Sequence, residues 1–132
     1  MLKVVIIDGN AISRNLLSSV LTTGGYEVIG DSNTSSAGIA SMVKLQPQII
    51  CIDTGDAENS GLDMLESLRS LFPKALVFMV AANMDADRVQ GALQRGVHGF
   101  IIKPFNAVTV LMTIRNAVLK LARQQAAKPA ES

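Results

Sequence analysis

The chain has no tryptophan, and it has one cysteine and one histidine among its 132 residues. One cysteine excludes an internal disulfide framework, and one cysteine with one histidine excludes a zinc site built from those ligands. Charged residues make up only 17% of the chain and nearly cancel, which leaves a formal net charge of +1. The sequence therefore lacks the basic excess with which proteins bind nucleic acid electrostatically.

Long hydrophobic runs are also missing. The longest, around Leu76 to Ala82, is far shorter than the roughly 20 apolar residues of a membrane-spanning helix. Asp8 interrupts the N-terminus too early for a signal peptide. We expect a cytoplasmic protein without membrane contact, with one domain at residues 1–124 and a flexible C-terminal tail at residues 125–132.

Strand-like and helix-like patterns alternate along the chain. The strand-like runs are continuously apolar, as in parallel strands that helices cover on both faces. Right-handed crossovers then predict an α/β fold, a three-layer doubly wound sandwich around a five-stranded parallel sheet. The predicted strands are 2–7, 26–29, 48–53, 75–80 and 100–102, the predicted helices are 10–23, 34–45, 62–72, 85–95 and 106–124, and residues 55–61 are predicted to form a polar loop.

Ionisable residues follow three of the predicted strands: Asp8 the first, Asp53 the third and Lys103 the fifth. Because ligands of doubly wound sheets bind beyond the carboxyl ends of the strands, we expect these side chains in one pocket. Two carboxylates suit Mg²⁺, an aspartate can act as a nucleophile, and a lysine can neutralise a transferred phosphoryl group. The pattern favours phosphoryl chemistry, and charged strand ends without any chemical role are the alternative.

Three segments together resemble the receiver domains of two-component response regulators. They are VVIIDGNAISRNLL, IICIDTGDAENSGLDMLESLR and GVHGFIIKPF. The resemblance extends over about residues 2–122 and implies a flavodoxin-like sheet with strand order 2-1-3-4-5. It implies that the protein is a signalling module and not an enzyme.

The same resemblance implies roles for individual residues. It makes Asp53 the phosphoacceptor and Lys103 the residue that stabilises the phosphoryl group. It implies Mg²⁺ as cofactor at Asp8, Asp53 and Gly55, with Asp56 as a further candidate ligand. It also makes Phe100 the aromatic residue of the conformational switch. The bond before Pro104 is implied to be cis.

The chain departs from the family pattern at three places. Gly9 stands where the family usually has a second acidic metal ligand, Ala81 where it has a switching serine or threonine, and Asp56-Ala57 where it has Met-Pro. Loss of a metal ligand is expected to weaken metal affinity by at least about 10–100-fold. A methyl group cannot donate the hydrogen bond of a hydroxyl, although Asn83 or a backbone N–H is an alternative donor.

Two functions remain open on these grounds. The first is a single-domain receiver in a phosphorelay that accepts a phosphoryl group on Asp53 with a degenerate site. The second is a phosphorylation-independent pseudo-receiver that acts as a protein-interaction scaffold. A flavin- or cobalamin-binding domain of the same topology is disfavoured, because the chain has neither a convincing phosphate loop nor an Asp-x-His-type motif.

The expected partners are proteins. We expect a histidine kinase or phosphotransfer protein upstream and an effector downstream. The end of the chain soon after the last helix favours a stand-alone module, with a receiver excised from a longer regulator as the alternative. The final helix has an apolar arc wider than the roughly 100° stripe that packing on a sheet requires. We interpret the excess as a partner or homodimer surface, with a thick core contact as the alternative. The residues predicted for this surface are Val110, Ile114, Ala117 and Leu121.

Overall fold

The structure, a computed structural model, describes residues 1–55 and 58–127. Five strands and five α-helices alternate along this part of the chain. The strands are β1 (Lys3–Asp8), β2 (Glu27–Ser32), β3 (Ile49–Asp53), β4 (Leu76–Ala81) and β5 (Gly99–Ile102). The helices are α1 (Ala11–Thr23), α2 (Ser36–Ser41), α3 (Glu58–Leu71), α4 (Ala86–Gln94) and α5 (Ala107–Ala127), and a short 3-10 helix spans Val43–Leu45.

The strands form one parallel sheet with the order β2-β1-β3-β4-β5. This confirms the predicted doubly wound sandwich. Successive strand residues point to opposite faces, and each face is buried. Val5, Ile50 and Val77 pack with α2, α3 and α4, whereas Val4 and Ile49 pack with α1 and α5. The continuous apolar runs of the sequence are explained by these two cores.

The ends of several elements differ from the prediction. The predicted helix 34–45 is the short α2 followed by the 3-10 helix, and β2 extends to Ser32. Helix α3 begins at Glu58, inside the segment predicted to be a loop. The first turn of a helix is often polar and needs no apolar residue, so apolar periodicity marks the start of a helix too late.

The end of the last helix also differs from the prediction. Helix α5 continues to Ala127, so residues 125–127 are helical and not part of a tail. Gln and Ala have high helix propensity, which explains this extension without apolar spacing. Residues 128–132 lie outside the described residues. Across the described residues, no helix combines the length and the apolar character needed to cross a membrane.

The prediction of a partner surface on α5 is wrong for two of its four residues. Val110 and Ile114 are 0% exposed and belong to the core between α1, α5 and the sheet. Ala117 and Leu121 are partly buried against the same core. The apolar arc of α5 includes both its core face and its flanks, and periodicity alone does not distinguish them. The exposed large apolar side chains of α5 are Val108, Met112 and Leu119.

Candidate functional site

The functional residues predicted at the strand ends meet at the carboxyl edge of the sheet. Asp8 and Asp53 are register partners on β1 and β3, and they are only 6% and 8% exposed. They border a cavity of about 310 Å³. The residues that line the cavity are Asp8, Gly9, Asn10, Thr34, Asp53, Thr54, Gly55, Ala81, Ala82 and Lys103.

Lys103 connects the two carboxylates. Its Nζ donates a hydrogen bond to Asp53 Oδ2 and lies 3.8 Å from Asp8 Oδ2. The Ser13 hydroxyl lies 3.4 Å from the same Nζ. Burial alone would lower the pKa of Lys103, but the hydrogen bond to Asp53 and the charges of both carboxylates outweigh it, so that the pKa is raised. Lys103 therefore remains a cation at neutral pH.

Backbone amides hold the other oxygen of each carboxylate. Asp53 Oδ1 accepts from the Gly55 N–H at 2.8 Å, and Asp8 Oδ1 accepts from the Asn10 N–H at 2.8 Å. Gly55 has a φ of +73°, a left-handed conformation that a residue without Cβ adopts at little cost. The sequence Asp-Thr-Gly therefore builds a tight turn that orients the carboxylate of Asp53 at the cavity.

The donors at this edge fit Mg²⁺. Within the described ranges, no group of three or more His, Cys, Asp or Glu side chains forms a metal cluster. Mg²⁺ does not need such a cluster, because it usually takes one or two carboxylates and keeps waters or phosphate oxygens as its other ligands. Asp8, Asp53 and the Gly55 carbonyl supply that type of donor set. Asp56, the further candidate ligand, lies outside the described residues.

The predicted switch positions lie on β4 and β5. Ala81 is 2% exposed at the end of β4 and lines the cavity with its methyl group. Phe100 is partly buried and packs against the core formed with α2, α3 and α4. The Lys103–Pro104 bond is cis. Gly9 leaves open space, since the one described atom that a Cβ at this position would meet is the Thr34 hydroxyl, at 4.0 Å.

Arg88 is a residue of this site that the sequence analysis did not identify. Its Nη2 donates to the Gly55 carbonyl at 2.5 Å and lies 3.4 Å from Thr54 Oγ1. Its Nη1 donates to the Asn83 carbonyl at 3.1 Å. Arg88 lies within α4 and not at a strand end, so strand spacing gives no signal for it. The guanidinium joins the loops after β3 and β4.

The comparison with protein families decides the assignment. The sequence model described as the response regulator receiver domain matches residues 4–115. The chain belongs to this family. It is a receiver domain of two-component signal transduction, and its sheet order and strand-end residues agree with that membership.

Individual relatives support the same family. The chemotaxis protein CheY of Thermotoga maritima is 28% identical over 109 residues, which are 83% of this receiver and 91% of that protein. The transcriptional regulatory protein KdpE of Mycobacterium tuberculosis is 30% identical over 115 residues, 87% of this receiver and 50% of KdpE. Among solved structures, a response regulator from Thermotoga maritima is similar with a TM-score of 0.79 at 20% identity, covering 89% of this chain and 98% of that one. That last similarity shows the fold.

Proposed function

We propose that this receiver accepts a phosphoryl group on Asp53 from a histidine kinase or phosphotransfer protein. The observation that carries the proposal is the contact between Lys103 and Asp53, beside Asp8, in one cavity at the carboxyl edge of the sheet. A carboxylate with an adjacent ammonium group is suited to nucleophilic attack on a phosphoryl donor, because the product carries additional negative charge.

The transfer exchanges one bond for another. A carboxylate oxygen of Asp53 forms a bond to phosphorus, the bond from phosphorus to the donor breaks, and its electron pair leaves with the donor. For a phosphohistidine donor, that pair remains on the imidazole nitrogen. Lys103 offsets the charge of the transferred group, and the Gly55 N–H holds the carboxylate in place at 2.8 Å before the reaction.

Mg²⁺ is the proposed cofactor, and it would supply positive charge beside the carboxylates and the phosphoryl oxygens. Asp8, Asp53 and the Gly55 carbonyl are the proposed ligands. Because Gly9 has no side-chain oxygen, we propose a site that is weakened by at least about 10–100-fold relative to one with a second acidic ligand. Phosphorylation of Asp53 then requires more Mg²⁺, but the chemistry remains available.

The output of this receiver is proposed to be atypical because of Ala81. A hydrogen bond to a charged group contributes about 1.5–3 kcal/mol, and allosteric coupling amounts in total to about 1–3 kcal/mol. Loss of the hydroxyl therefore removes a contribution as large as the usual coupling. We propose a signalling output through protein contacts, with an effector protein or a second copy of the chain. On α5, such contacts would use the exposed side chains of Val108, Met112 and Leu119.

Gly9 and Ala81 also favour a second candidate, a scaffold that never accepts a phosphoryl group. The two candidates are separated by incubation with acetyl phosphate and Mg²⁺, followed by measurement of the intact mass. A gain of one phosphoryl group, lost with a chelator and in Asp53→Asn, supports phosphoacceptance. Asp63→Asn is the matched control, because Asp63 is an exposed residue of α3 and should leave labelling unchanged. No mass gain in the folded wild-type protein, beside a receiver that does label, supports the scaffold.

A further inference from the structure

Arg88 physically connects the phosphorylation pocket with helix α4. Its backbone N–H bonds the capping carboxylate of Asp85 at 2.8 Å, so the residue is fixed in the first turn of α4. Its guanidinium then crosses to the loop after β3, where Nη2 donates to the Gly55 carbonyl at 2.5 Å. The side chain of Arg88 therefore bridges Gly55 and the beginning of α4.

The Gly55 carbonyl is also one of the proposed ligands of Mg²⁺. An oxygen that accepts from a guanidinium and binds a divalent cation brings two positive charges close together, and these repel each other. Arg88 cannot lose its charge to relieve this repulsion, because a guanidinium stays protonated in proteins. Metal binding at Gly55 and the Arg88–Gly55 hydrogen bond are therefore mutually unfavourable.

We propose that Arg88 is a latch that couples metal occupancy of the pocket to the position of α4. In the metal-free receiver, Arg88 ties the start of α4 to Gly55. Mg²⁺ at Gly55 weakens this contact and frees the first turn of α4 from the β3–α3 loop. This proposal rests on the proposed metal site, and it provides a route from the pocket to α4 that needs no hydroxyl at Ala81.

The contacts of the guanidinium divide in a way that suits this role. The bonds to Gly55 and Thr54 cross between two loops, whereas the 3.1 Å bond to the Asn83 carbonyl stays within the loop that leads into α4. Nη1 can therefore keep its acceptor when Nη2 leaves Gly55. Because coupling is reciprocal, the Arg88–Gly55 contact must weaken Mg²⁺ binding by the same factor by which bound Mg²⁺ weakens that contact.

Calorimetric titration with MgCl₂ tests this reciprocity. Arg88→Met keeps the aliphatic length without donors, and we expect it to bind Mg²⁺ about three- to tenfold more tightly than wild type, as for loss of one hydrogen bond of ordinary strength. Arg88→Lys keeps the charge but not the fork that spans Gly55 and Asn83, and it should also bind more tightly. Arg95→Met, which removes a cation from the end of α4 that bonds Gly91 and pairs with Glu66, should leave the affinity unchanged.

Amide NMR spectra of the same proteins supply the second measurement. Mg²⁺ should shift the amide resonances of residues 88 and 89 in the wild type, and much less in Arg88→Met. Equal Mg²⁺ affinity in the wild type and Arg88→Met overturns the latch. Wild-type affinity in Arg88→Lys overturns it as well, because the charge at position 88, and not the contact that spans Gly55 and Asn83, would then account for the effect on Mg²⁺ binding. Neither result contradicts the proposed phosphorylation of Asp53. Absence of saturable Mg²⁺ binding in all four proteins, together with no phosphoryl uptake, overturns the proposed function and the latch together.

Discussion

Asp8 and Asp53 are register partners at the ends of β1 and β3, and the single ammonium group of Lys103 contacts both carboxylates. Both aspartates are almost fully buried, at 6% and 8% exposure. Among the described residues that line the cavity, two carboxylates therefore face one ammonium group. Like charges in a poorly solvated site repel, so this arrangement is expected to lower the stability of the fold.

Asp8→Asn should therefore raise the free energy of unfolding in the absence of Mg²⁺, by about 1 kcal/mol. The asparagine can still accept from the Asn10 N–H, so only the charge is lost. Urea denaturation checks the change, with the exposed Asp63→Asn as control. A variant less stable than wild type would contradict the repulsion, and the same variant should bind Mg²⁺ more weakly.

Gly9→Asp should strengthen Mg²⁺ binding by about 10-fold or more, because it supplies an additional carboxylate at the pocket. Within the part of the chain that the structure describes, the new Cβ has room, since its nearest contact is the Thr34 hydroxyl at 4.0 Å. Gly9→Asn is the matched control for size, and it should gain less affinity because it adds no charge. Equal calorimetric affinity in all three proteins would show that position 9 does not face the metal.

Ala81→Ser should change both stability and response. Without a phosphoryl group, a hydroxyl at this 2% exposed position lacks an assured partner and should cost about 1–2 kcal/mol in urea denaturation. After treatment with acetyl phosphate and Mg²⁺, the same variant should show larger amide shifts around β4 than wild type. Ala107→Ser, at the exposed first residue of α5 and outside the cavity lining, should do neither. If Ala81→Ser responds like wild type, the missing hydroxyl is not what limits the switch.

Stability should fall in mild acid because of His98. Its Nδ1 accepts from the Val77 N–H at 3.1 Å, and partial desolvation of the imidazole, with the nearby charge of Arg69, lowers its pKa below the usual 6.5 despite that hydrogen bond. The unfolded chain therefore binds the proton first. The contribution is fully present above pH 6.5 and is lost as pH falls through the lowered pKa. Urea denaturation at several pH values from 5 to 8 should show a steeper acid loss for wild type than for His98→Asn.

The strand-end residues of the site could be predicted from sequence, whereas Arg88 could not. Asp8, Asp53 and Lys103 each follow a buried run, and a parallel sheet brings such positions to one edge whatever the details of the loops. The reach of Arg88 to Gly55 depends on the direction of a long side chain between two loops. Apolar periodicity leaves this direction undetermined.

The final helix shows the same limit for packing. Its apolar pattern correctly predicted a helix, but Val110 and Ile114 were assigned to a partner surface and are core residues. An arc of apolar residues shows which face of a helix packs on the core only when the arc is narrow. In α5 both the core side and its flanks are apolar. The start of α3 was predicted too late for the opposite reason, because no apolar residue marks its polar first turn.

The open space at Gly9 has an evolutionary consequence. Among the described residues, only the distant Thr34 hydroxyl would meet a Cβ there, so no neighbouring described side chain occupies this space. A lineage that loses a ligand and then fills its place cannot readily return, because a second substitution must come first. In this receiver, we expect a single amino-acid replacement at position 9 to be enough to supply an acidic ligand.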